Sequence, residues 1–304
     1  MSLPPTAPDR SAPGTLATDR GDAGRTVAKR GRVWPRLLRW GIVCLLLAYG
    51  SCQVLGPDMD FPEDVDPVGT ERITWNAPTG RVSGLQAGDP TGQRIVFVHG
   101  TPGFAASWNR YLTEVPSGMG AVALDRPGFG QSEPKGAVPS LSEQAAAVEP
   151  LLVERNGAWP ILVGHSLGGP VILRVASDYP ERVGGLIVLA GNIDPELEKL
   201  HWYNQLGRLV SPFLSRSWRN SNRELIPHRK ELEELVPGLE RITCPVIIVH
   251  GTEDSLVPYA NAEFLERSLP SAASVELERL DGVDHFFVFQ NPGILWTALH
   301  ELTR

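Results

Sequence analysis

A chain of 304 residues with 42% hydrophobic and 21% charged side chains can bury a sizeable core, which excludes global disorder. Its net charge of -7 is unevenly spread: residues 1–39 carry eight Lys/Arg against three Asp, whereas the remainder carries 20 basic against 32 acidic residues, a balance that repels nucleic acid. Two of the three cysteines, Cys44 and Cys52, precede the globular region, so no disulfide is possible within it and Cys244 reads as a small buried hydrophobe.

Residues 1–39 read as a disordered basic tail. Positive charge directly before the apolar run Trp40 to Leu55 (WGIVCLLLAYGSCQVL) is the arrangement of a transmembrane anchor or signal segment whose N-terminus stays cytoplasmic. The run is short for a span, but Arg36 and Arg39 can snorkel and bring Val33 onward into the bilayer. Ala48 and Gly50 form a small-x-small cleavage site before Ser51, while the 39-residue leader, long for a signal peptide, favours an uncleaved anchor. The expectation is a membrane-anchored protein with its globular domain outside the cytoplasm, in the bacterial periplasm or exterior. Secretion after cleavage near Gly50 is the alternative. Residues 56–70 are acidic and carry three prolines, the composition of a linker.

From Glu71 the pattern changes to short apolar runs at Arg94 to Val98, Ala121 to Leu124, Ile161 to Val163, Gly185 to Leu189 and Val246 to Val249, alternating with helical stretches. Such alternation predicts an α/β domain over 71–304 with a mostly parallel twisted sheet flanked by helices. Ser140 and Glu143 stand at capping-box spacing for a helix to Arg155; Leu167 to Tyr179 stops at Pro180; Asn291 and Pro292 mark the N-cap and first turn of the last helix. Residues 195–240 interrupt the alternation with Trp-bearing helical segments and no strand. They read as a small helical cap over the carboxyl ends of the strands, where open α/β sheets bind ligands.

Gly164-His165-Ser166-Leu167-Gly168 joins a strand to a helix, the context of a nucleophile elbow. The turn strains Ser166 and demands tiny residues two positions either side, which Gly164 and Gly168 supply. A serine hydroxyl needs a base, and the base needs a third group to fix its tautomer. Asp254 follows the strand starting at Pro245, with Glu253 and Asp194 as rivals, and His285 follows the run Val275 to Leu280. Oxyanion donors are expected from the backbone N–H groups of Leu167 and Thr101, the latter in His99-Gly100-Thr101-Pro102-Gly103. His165 reads as packing support, and His201, His228, His250 and His300 as core or surface residues. The Gly-rich turn Asp125 to Ser132 lacks the Gly-Lys-Ser/Thr of a phosphate loop, and no C-x-x-C, H-E-x-x-H or close histidine pair points to metal. No cofactor is expected.

In the order of these landmarks the region Glu71 to Arg304 resembles the α/β-hydrolase superfamily, in its serine-nucleophile branch. The resemblance implies the α/β-hydrolase fold and supports the roles of Ser166, Asp254 and His285. Ser166 at the elbow separates the chain from epoxide hydrolases and haloalkane dehalogenases, which carry Asp there, and Thr101 departs from the Gly of prolyl aminopeptidases. The fragment Ser221 to Leu225 is similar to one in membrane-associated bacterial hydrolases.

The expected activity is cleavage of an ester-like or other acyl bond through an acyl-enzyme. Alternatives are a cofactor-free perhydrolase, a carbon-carbon bond hydrolase, or a non-catalytic binding protein. Trp202, Tyr203 and Trp218 suggest a small-molecule substrate with an apolar acyl group; nothing in the sequence sets the oligomeric state.

Overall fold

The computed structural model describes Asp66, residues 68–199, Asn204, Gly207, Ser211 and residues 214–304. The basic tail, the Trp40 to Leu55 run, most of the linker, His201, Trp202 and Tyr203 lie outside the described residues. Among the described residues no helix is long and apolar enough to cross a membrane.

Eight strands form one sheet: β1 (Glu71–Ala77), β2 (Gly80–Gly88), β3 (Gln93–Val98), β4 (Met119–Asp125), β5 (Ile161–His165), β6 (Gly185–Leu189), β7 (Val246–Gly251) and β8 (Val275–Leu280), in the spatial order β1-β2-β4-β3-β5-β6-β7-β8. β1 and β2 form an antiparallel hairpin, β2 runs antiparallel to β4, and the six strands from β4 to β8 are parallel. β5, β6 and β7 are buried along their whole length, because helices cover both faces of the sheet; this is why they read as unbroken apolar runs. β1 and β8 are half-exposed edges.

The chain passes from β3 outward to β4 and then returns to the opposite side of β3 as β5. The carboxyl ends of β3 and β5, paired through Val98 and Gly164, therefore flank the topological switch point, where the diverging connections leave a crevice. The expected oxyanion loop follows β3 and the elbow follows β5, so chain order alone brings them together.

One sheet face is covered by α2 (Leu141–Val148) and α3 (Gly168–Asp178), with α1 (Asn109–Thr113) and the C-terminal helix on the other. Ser140 Oγ accepts from the Glu143 amide at 3.5 Å, as the capping-box spacing predicts. The helix stops at Val148 rather than Arg155, because Pro150 has no N–H to continue the ladder and the chain tightens into the 3-10 turn Glu149–Leu151. The C-terminal helix begins at Gly293, and Asn291 does not cap it with its side chain; its backbone carbonyl instead accepts from the Ile294 amide at 3.3 Å.

The insertion contributes α4 (Arg216–Leu225) and α5 (His228–Leu235), followed by a 3-10 segment at Val236–Arg241. Leu232, Leu235 and Leu239 are buried in the core with Val171, Leu173 and Val175 of α3, so the second half of the insertion is part of the domain body. Cys244 is buried and carries a thiol pushed up to about 12 by burial, in keeping with a structural side chain.

Candidate active site

Ser166 leaves β5 in a left-handed conformation (φ 54°), one of three non-glycine residues with positive φ among those described. The turn is closed by the Ser166 amide donating to the Leu189 carbonyl (2.9 Å) and the Gly169 amide donating to the Ser166 carbonyl (2.9 Å). A Cβ on Gly164 would stand 2.4 Å from the Gly168 carbonyl oxygen, and one on Gly168 only 2.2 Å from that of Val98. Both glycines are thus steric requirements of the elbow, and backbone strain is concentrated at a half-buried serine.

His285 Nδ1 donates to Asp254 Oδ2 at 2.6 Å, and both side chains are almost fully buried. The other oxygen, Oδ1, accepts the Leu256 and Val257 amides at 2.9 and 2.8 Å. His250 Nε2 lies 3.4 Å from Oδ2 while hydrogen-bonding the Val257 carbonyl at 2.9 Å. Burial by itself would raise the Asp254 carboxyl, but hydrogen bonds from His250, His285 and the Val257 amide outweigh it and hold the group well below the usual carboxylate range. Among the described residues the carboxylate bonded to the His285 ring is that of Asp254, while Asp194 Oδ1 accepts the Glu196 amide within its own turn.

His285 is brought against the elbow by His165, whose Nε2 is 3.1 Å from the His285 carbonyl oxygen and whose ring centroid is 4.7 Å from that of His285. Phe286 stands edge-on to the His285 ring at 5.3 Å, and Phe289 meets the His165 ring in the same manner. Among the described residues no hydrogen bond joins Ser166 Oγ to His285; in sites of this type that bond often forms only with substrate in place.

Gly100 lies against the serine, since a Cβ there would be 2.9 Å from Ser166 Cβ and 3.4 Å from Oγ. Neither the Thr101 nor the Leu167 amide donates to a protein acceptor among the described residues, which leaves both expected donors available. Leu167 is also the N-cap of α3, where the helix dipole is positive. Asp125, at the end of β4, ties the turn that follows: Oδ1 accepts the Ala105 amide (2.7 Å), and Oδ2 accepts the Gln131 amide (3.1 Å) and Arg72 (3.0 Å). A Cβ on Gly130 (φ 48°) would fall 2.3 Å from that carboxylate. The Gly-rich turn is thus a structural brace of the loop beside the serine. Among the described residues no group of three or more His, Cys, Asp or Glu is placed to hold a metal ion.

Two residues around the site, each inside a segment the sequence singled out, were given no role of their own. Arg126 and Glu224 form a buried two-pronged ion pair (2.9 and 3.0 Å) between the β4 turn and the insertion helix α4. On a helix as polar as Arg216–Leu225 a glutamate reads as solvated surface, and no local spacing marks it as buried.

Of the five buried histidines among the described residues, three have their pKa lowered by burial. His99 is held well below its ordinary range by burial and the Arg126 charge, and burial above all lowers His165 to about 3 and His228 to about 4. His99 Nε2 accepts the Arg126 amide (3.0 Å), which requires the unprotonated nitrogen, and His228 pairs with Asn192 at 2.8 Å. Their folded values lie below the unfolded value of about 6.5, so the unfolded chain binds more protons in acid. Stability is therefore full above about pH 7 and falls as pH drops toward 4, by on the order of 1 kcal/mol per pH unit for each histidine. Urea unfolding at pH 8, 6 and 5 should show this decline, with a smaller slope in His228→Gln; equal stability at pH 8 and 5 would contradict it.

A mostly parallel eight-stranded sheet, an elbow serine at its switch point and an aspartate–histidine pair beside it define an α/β-hydrolase scaffold. The chain belongs to the alpha/beta hydrolase family, whose profile matches residues 95–296. It is similar to a non-heme chloroperoxidase of Streptomyces lividans, 27% identical over 252 residues that span 68% of this chain and 90% of that one. A pimeloyl-[acyl-carrier protein] methyl ester esterase of Aeromonas hydrophila is 29% identical over 231 residues, covering 62% of this chain and 87% of its own length. Among solved structures, the 2-hydroxy-6-oxo-6-phenylhexa-2,4-dienoate hydrolase of Rhodococcus sp. strain RHA1 shares the fold, with a TM-score of 0.56 at 23% identity over 77% of this chain and 99% of that one.

Proposed function

We propose that this hydrolase cleaves ester-like acyl bonds through an acyl-enzyme on Ser166. The observation that carries the reading is the buried Asp254–His285 hydrogen bond held beside the elbow. With Nδ1–H committed to Asp254, Nε2 of the His285 ring is left to act as the base. Ser166 Oγ attacks the carbonyl carbon as its proton passes to Nε2, and the oxyanion is met by the Thr101 and Leu167 N–H groups. The tetrahedral intermediate collapses, the proton moves from Nε2 to the leaving alkoxide, and water repeats the sequence to release the acid. Asp254 remains ionised throughout and stabilises the imidazolium.

A second reading, perhydrolysis by the same residues with hydrogen peroxide in place of water, is favoured by the similarity to a chloroperoxidase. A series of p-nitrophenyl esters from acetate upward, run beside a peroxide-dependent bromination assay in acetate, separates the two. Ester turnover without peroxide-dependent bromination supports the hydrolase; bromination exceeding ester turnover makes perhydrolysis the primary activity, and neither activity in folded protein rejects both.

We also infer, from the charge order around Trp40 to Leu55, that the domain is tethered to a membrane and faces away from the cytoplasm. Alkaline carbonate extraction of membranes holding the full chain should leave it in the pellet, and its release into the supernatant would reject the anchor.

A further inference from the structure

We propose that Glu224, on the insertion helix α4, is a positioning residue for the oxyanion loop, acting through Thr101 and Arg126. The inference rests on the serine-hydrolase reading above and extends it to a residue that touches neither substrate nor the reacting atoms.

The loop after β3 carries glycines at Gly100 and Gly103, and much of what fixes its carbonyls comes from outside it. Arg126 Nε donates to the His99 carbonyl (2.9 Å) and Arg126 Nη2 to the Gly100 carbonyl (3.0 Å), which also accepts His99 Nδ1–H at 2.7 Å. A peptide unit is planar and trans, so its N–H points opposite to its C=O. Fixing the Gly100 carbonyl toward Arg126 therefore sends the Thr101 N–H away from Arg126, and Gly100 is the residue in contact with Ser166.

Glu224 fixes both ends of this arrangement. Its carboxylate receives Arg126 Nη1 on Oε1 (2.9 Å) and Nη2 on Oε2 (3.0 Å), and Oε2 also accepts the Thr101 hydroxyl at 2.8 Å. Gln144 Nε2 adds a donor to Oε1 at 3.3 Å. Glu224 and Arg126 are 2% and 0% exposed, so the pair is not loosened by water, and planar two-pronged bonding restricts orientation as well as distance. The insertion is thereby coupled to the donor geometry: moving α4 releases Thr101 and Arg126 together.

The test compares Glu224→Gln and Thr101→Val in the full chain, using p-nitrophenyl butyrate and a trifluoromethyl ketone, whose hydrated adduct mimics the tetrahedral intermediate. Loss of positioning lowers kcat about 10- to 100-fold in Glu224→Gln and about 10-fold in Thr101→Val, with KM within about twofold. The ketone's inhibition constant rises in step with the loss in kcat/KM, which a purely structural role would not produce. Thr101→Val keeps the backbone and the Arg126–Glu224 pair, so it decides the matter if Glu224→Gln fails to fold. Unchanged kcat in Thr101→Val beside an inactive Ser166→Ala overturns the positioning role and leaves the serine reading standing; turnover that survives Ser166→Ala overturns both.

Discussion

Replacing Ser166 by alanine is expected to lower kcat on p-nitrophenyl esters by about 10⁴-fold or more, with the fold intact. The oxygen removed is the one that becomes covalently acylated, and no neighbouring hydroxyl or thiol stands on the elbow to replace it. The glycines that shape the turn remain, and serine and alanine pay the same penalty for a φ of 54°. The urea midpoint of the variant should therefore match that of the parent. Residual hydrolysis above the uncatalysed rate is expected from the Thr101 and Leu167 donors, which the substitution leaves untouched. Turnover within about tenfold of the parent would assign the chemistry elsewhere.

Asp254→Asn is expected to lower kcat by about 10³- to 10⁴-fold through the tautomer of His285. Two of the aspartate's contacts decide which way the new amide faces. The Leu256 and Val257 amides both donate to Oδ1, so the asparagine oxygen stays there and its NH₂ is turned toward His285. A donor opposite Nδ1 forces that nitrogen to accept and moves the ring proton to Nε2, where it can no longer take a proton from serine. Steady-state kinetics beside Asp194→Asn and Glu253→Gln provide the contrast, because the carboxylate bonded to the His285 ring is that of Asp254. Losses of similar size in all three variants would reject the assignment of Asp254.

The site could be read in the sequence to the extent that its chemistry is local. Gly164, Ser166 and Gly168 carry their own steric logic. Asp254 follows a short apolar run and His285 a run, Val275 to Leu280, in which apolar and charged residues alternate, and the order of strands β3 and β5 makes the switch point. The parallel strands β5 to β7 were legible for the same reason, being buried on both faces. The hairpin of β1 and β2 was not singled out: Ile73, Trp75 and Ala77 do alternate with Arg72, Thr74 and Asn76 and pack against the core, but on a half-exposed edge they make no unbroken apolar run. The end of α2 depended on how far a helix tolerates Pro150. Arg126 and Glu224 illustrate the deeper limit, since 98 positions separate the partners of one buried ion pair and nothing in either segment's periodicity reveals the other. His250 is a second instance: its spacing to Asp254 is helical, yet it meets that carboxylate across a strand end and a turn.

The most direct measurement is to react the purified full chain with a fluorophosphonate, locate the adduct by peptide mass spectrometry, and repeat the reaction with His285→Ala. The account predicts stoichiometric modification of Ser166 that is largely lost in the variant, because the hydroxyl reacts only when His285 removes its proton. A folded protein that turns over esters yet carries no adduct on Ser166, or one labelled equally well without His285, would contradict it.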